Sequence, residues 1–208
     1  MMLKKRWFKY IAIGVMLLAV ALRSDVQEIT AVSDIAGISI DPGYDGKYVF
    51  GLEIAEPVKE GGFTVKSKLM QIQAKDLREA LSQAGLQGEY PLTLTHGSLV
   101  VIHSSFIGKD LNNISEILLS QWQGQMRTYL AVADGCAAAD ILRQNEGENL
   151  RSALLSAQLR RADQKGQIDT LKAFALCSKI TAGEKVSLPL LALTEDGYRI
   201  SGSVEVNQ

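Results

Sequence analysis

Two histidines and two cysteines are the whole of the chain's supply of those residues. Their spacing decides what chemistry is open. His96 and His103 are seven apart in a strand-like stretch, and an odd spacing puts them on opposite faces of one continuous strand. No carboxylate or cysteine pattern around them completes a metal set. His103-Ser104-Ser105 lacks the Gly-x-Ser-x-Gly elbow of a hydrolase. Cys136 and Cys177 each fall on a predicted helix among apolar neighbours and read as free buried thiols, although an exported protein would permit a disulfide between them. Asp41 and Asp45 could hold calcium, but turn chemistry accounts for both. Glu28, Glu53 and Glu56 show no pairing pattern, and a glycine-rich phosphate loop is absent. The expectation is no catalytic residue, no metal ligand and no cofactor site. Read from residues alone, the chain is a non-catalytic module of binding or scaffolding type.

The elements that would position any site are organised around Asp34 to Pro57. Ala36, Ile38 and Ile40 alternate with Gly37, Ser39 and Asp41; Tyr48, Phe50, Leu52 and Ile54 alternate with Val49, Gly51, Glu53 and Ala55. Period-two alternation predicts two strands, each with one buried face. Between them, Pro42 and Asp45-Gly46 supply a chain reversal. Gly37 and Gly51 leave the sheet face without side chains, which points to close packing or a bulge.

After a turn at 59–62, Phe63 to Gln73 reads as a third strand. Ala74 to Ala84 is a helix with Leu77, Ala80, Leu81 and Ala84 at helical spacing, stopped by Gly85. The continuous apolar run Leu99 to Ile102 suits a strand covered on both faces. Gly108 to Gln123 is a helix carrying Leu111, Ile114, Leu118 and Trp122, and Met126 to Ala133 is a strand. Asp134 can cap a helix over Cys136 to Arg143. Leu150 to Arg161 and Ile168 to Ser178 are further amphipathic helices. Val186 to Leu193 and Tyr198 to Val206 form a hairpin around Glu195-Asp196-Gly197. Within its last strand, Tyr198, Ile200, Val204 and Val206 share one apolar face. The fold class is α+β, with mixed sheets, an N-terminal β-hairpin and about four amphipathic helices. The final strand leaves a sheet edge that invites association.

The first residues set the compartment. MMLKKRWFKY is cationic, and Tyr10 to Leu22 carries no charge over 13 residues. A membrane span needs about 20 apolar residues, so this length suits a signal-peptide core. Ala19-Val20-Ala21 is a small-x-small cleavage pattern. The alternative is an uncleaved anchor, with Trp7 and Phe8 extending the apolar run. Either way, residues 1–24 form a signal peptide or membrane anchor, and the rest is expected on the far side of the membrane. Residues 25–208 form the folded part, with a parting into two lobes near 133 left open. Beyond residue 21 there remain 18 basic and 23 acidic residues, a net of −5. No basic patch argues for nucleic acid.

Several stretches together resemble the Ger(x)C family, the C subunits of spore germinant receptors. They begin with SDIAGISIDPGYDGKYVFGLEI and continue through AKDLREALSQAG, then THGSLVVIHSSF around His96. SEILLSQWQGQMRTYLAVADGCAAADILRQ, TLKAFALCSKITAGEKVSLPLLAL and RISGSVEV follow. The resemblance covers about residues 25 to 206. Two departures stand out. The family carries a lipobox cysteine at the end of its signal peptide, whereas LLAVALRSDVQEI has none, so no lipid anchor is expected. The family also continues into a C-terminal domain, so this chain resembles its N-terminal part. The resemblance implies a non-enzymatic subunit of a nutrient germinant receptor, on the outer face of the spore inner membrane, working with integral-membrane A and B subunits. The alternative is a stand-alone exported solute-binding or membrane-associated scaffold protein.

Overall fold

In the computed structural model of the chain, the described residues are 32–57, 65–88, 91–108, 110–121, 128–143, 149–195 and 197–206. The expectations for the signal or anchor segment, for Glu28, and for the turn at 59–62 lie outside them, as does Trp122. The strands are β1 (Ser33–Pro42), β2 (Tyr48–Pro57), β3 (Val65–Ala74), β4 (Leu92–Thr93), β5 (Leu99–His103), β6 (Tyr129–Asp134), β7 (Leu171–Lys172), β8 (Val186–Thr194) and β9 (Gly197–Val206). The helices are α1 (Leu77–Gln87), α2 (Leu111–Gln121), α3 (Ala138–Leu142), α4 (Arg151–Gln164) and α5 (Ala173–Thr181), with a 3-10 turn at Ser104–Phe106.

All nine strands join one sheet in the order β3-β2-β1-β5-β6-β8-β9, with β4 beside β1 and β7 beside β6. The four central strands β1, β5, β6 and β8 run parallel. The outer pairs β1–β2, β2–β3 and β8–β9 are antiparallel. The architecture is therefore α+β with a mixed sheet. Residue 133 lies within β6, in the middle of that sheet. Among the described residues no helix is long and apolar enough to cross a membrane.

Helices cover both faces. On the first, α1, α2 and α5 pack Leu77, Ala80, Ile114, Leu118 and Leu176 onto Ile38, Ile40, Phe50, Leu52, Val100, Ile102 and Val132. On the second, α3 and α4 pack Ile141, Leu142, Leu155 and Leu159 onto Leu99, Val101, Ala131, Ala133 and Leu191. The run Leu99 to Ile102 is buried on both sides, as its unbroken apolar character predicts.

Four expectations need correction. The helix expected from Ala74 begins at Leu77, because Ala74 completes β3 opposite Tyr48 and Asp76 caps the helix by accepting from Glu79 N at 2.8 Å. Gly85 does not stop that helix, which runs on to Gln87. The helix expected from Ile168 begins at Ala173, because Leu171 and Lys172 pair with Leu130 and Tyr129 as β7. The single apolar face expected for β9 is divided. A bulge falls between Ile200 and Gly202, where Gly202 takes φ +151°. The extra residue swaps the faces, so Tyr198 and Ile200 pack with the second cluster, and Val204 and Val206 with the first.

Candidate functional site

On the face of the β1–β2 hairpin turned away from the first cluster stand Gly37, Ser39 and Asp41 from β1 and Gly51 and Glu53 from β2, with Gly37 opposite Glu53 and Ser39 opposite Gly51. The alternation predicts a face of small and polar residues, and the expectation of one buried face per strand would leave it to solvent. Instead it is buried: Asp41 is 7% exposed, while Ser39 and Glu53 are fully covered. The cause is the central position of β1, which puts helices on both its sides.

Glu53 is the N-terminal cap of α4. Its Oε1 accepts from Arg151 N and, at 3.1 Å, from Ser67 Oγ; its Oε2 accepts from Ser152 N at 2.9 Å. Asp41 does the same for α3, accepting from Ala138 N at 2.6 Å on Oδ1 and from Ala139 N at 2.8 Å on Oδ2. Neither helix has a capping side chain of its own: the residues preceding them, Ala137 and Leu150, make no such bond. The first backbone N–H groups of a helix lack internal partners and favour a negative charge. A carboxylate from the sheet, about 100 residues away in the chain, meets both needs. Asp134, the expected cap of α3, instead accepts from Ser201 Oγ at 2.8 Å and so ties β6 to β9.

The glycines make room for this. A Cβ on Gly37 would stand 2.6 Å from Ser152 Cβ, and one on Gly51 would collide with Ser39 Oγ. The close approach of a serine side chain accounts for the glycine at both positions. The hydroxyls of Ser39 and Ser152 are buried beside them without a hydrogen-bond partner among the described residues. Burial pushes the Asp41 carboxyl above the usual range and Asp140 adds to this; the two helix N–H groups and nearby His103 pull the other way.

The two histidines are not brought together. His96 precedes β5, is largely exposed, and holds its Nδ1 3.0 Å from Asp34 Oδ2. Asp34 Oδ1 accepts from Thr93 Oγ1, Thr95 N and Thr95 Oγ1, so the cluster fastens the start of β1 to the 93–96 turn. His103 ends β5. Its Nδ1 accepts from Ser105 N at 3.1 Å and caps the 3-10 turn. Cys136 and Cys177 are both free. They lie against opposite faces of the sheet, Cys136 with the second cluster and Cys177 on α5, so no disulfide can join them. Burial raises both thiols above the ordinary value. Asp45, at φ +55°, is a turn residue, as its sequence context predicts. Glu56 pairs with Lys68 on the surface. Among the described residues no group of three or more His, Cys, Asp or Glu could hold a metal ion.

A cleft of about 480 Å³ opens where α4 and α5 end, β8 begins and β9 finishes. Its charged lining, Asp163, Asp169, Lys179, Lys185 and Glu205, was not singled out by sequence reasoning, because these residues are scattered between positions 163 and 205. The signal that could have found the hairpin carboxylates was present: Asp41 and Glu53 alternate with apolar strand residues among Gly and Ser, the pattern of a tightly covered polar face.

Comparison with known proteins gives the chain its place. Residues 25–193 match the family described as spore germination protein N-terminal domain. No curated protein sequence matches. Among solved structures, the crystal structure of the GerBC protein is similar at 13% identity and a TM-score of 0.38, with 83% of this chain covered. The chain spans about half of that one, 48%. The match over 25–193 takes in most of the chain, which therefore belongs to the family of spore germination protein N-terminal domains.

Proposed function

We propose that this protein is a non-enzymatic C subunit of a nutrient germinant receptor, acting in spore germination. The observation that carries this reading is the family match over residues 25–193. The hairpin carboxylates fit it, because Asp41 and Glu53 are engaged in holding helices and are not presented to a substrate. In this reading the cationic start and the 13-residue apolar core bring residues 25–208 to the outer face of the spore inner membrane. There the folded part works by contact with integral-membrane A and B subunits.

Deletion of the gene tests the role. Spores lacking the protein should lose the response to one class of nutrient and keep the response to a nutrient-independent trigger. Germination at the parental rate with every nutrient would contradict the proposal. Fractionation of sporulating cells tests the location: the protein should sediment with membranes and purify together with an A and a B subunit. Recovery in the soluble cytoplasm would contradict it. Cleavage after Ala21 would leave a chain starting at Leu22, and an intact Met1 in the membrane fraction would identify the segment as an anchor.

A further inference from the structure

We draw no further inference here: the strongest candidate, the apolar patch on the second face of the sheet where the exposed Leu193 of β8 stands opposite the half-buried Tyr198 of β9 with Ile200 beside it, carries none, because nothing in the structure shows what covers it.

Discussion

The two faces of the sheet are held in different ways. On the first, three helices lie over a broad apolar surface, into which Ile38, Ile40, Phe50, Leu52 and Ile102 point. On the second, two helices cover a smaller cluster with several alanines, and their docking is completed by Asp41 and Glu53 reaching up from the hairpin. Apolar packing is non-directional and tolerates small shifts; a carboxylate that accepts from two successive backbone N–H groups fixes one helix end at one place. The first face therefore supplies bulk stability, and the second supplies position. α3 has five residues and would be marginal by itself, so its place on the sheet depends on Asp41 more than a longer helix would.

The largest effect that separates the faces is expected at Glu53. Glu53→Ala removes the partner of three donors at a fully buried place and should cost about 3–5 kcal/mol, from two or three bonds to a charged acceptor. Ile102→Ala on the first face should cost about 2–5 kcal/mol by cavity formation. The totals overlap, but the consequences differ: urea unfolding of the Glu53 variant should lose cooperativity as α4 loosens first, while the Ile102 variant should stay two-state.

Gly37→Ala comes next. The new methyl would stand against Ser152 Cβ and force α4 to shift at that point, and overpacking of this kind costs about 1–3 kcal/mol. The same change at Gly46, a turn position with open space around it, should cost about 1 kcal/mol, through its φ of +70° alone. A melting-temperature series on the two variants makes that comparison.

Asp41 should show its effect through pH. Burial raises its carboxyl above the ordinary value of 3.8, so between that value and the raised one the folded chain binds more protons than the unfolded chain. Stability from this group is then fully present in more acid solution and falls as pH rises through that window. Asp41→Asn should remove that component of the pH dependence. Urea midpoints measured for both proteins from pH 3 upward should diverge across the window if the assignment is right, and run parallel if it is wrong.

The smallest effect is expected at Ile200. A single apolar face for β9 would make Ile200→Lys disruptive. The bulge at Gly202 instead places Ile200 at the partly covered margin of the second cluster, where a lysine stem can lie along the sheet with its ammonium in water. A loss of about 1 kcal/mol or less is predicted, read from the thermal midpoint. The same bulge bends the free edge of β9, a device that discourages edge-to-edge pairing, so the edge is less open to association than the plain alternation of the sequence suggests.

Much of this fold is legible in the chain. The hairpin, the doubly covered run Leu99 to Ile102 and the helices around Ile114 and Leu155 follow from apolar periodicity alone. Two-residue strands such as β4 and β7 carry too few residues to show a period. The bulge in β9 was hidden because Ser201-Gly202-Ser203 keeps the strand alternation while the backbone breaks it. Capping by Asp41 and Glu53 was hidden for a different reason. Helix caps are sought next to the helix they serve, and these lie about 100 residues away, joined to it only once the sheet has formed. The charged cleft is assembled from residues 163 to 205 by the same closure.

Native-state hydrogen exchange on the wild-type chain and on Glu53→Gln tests most directly whether hairpin carboxylates hold the second helical layer. The glutamine keeps the size of the side chain but turns one acceptor into a donor facing the N-terminus of α4. Protection at the Arg151 and Ser152 amides should fall by at least tenfold, with Leu154 and Leu155 following as the first turn frays. Amides of α2 on the opposite face, such as Ile114, should keep their protection. Unchanged exchange at 151 and 152, or an equal loss on both faces of the sheet, would contradict the account.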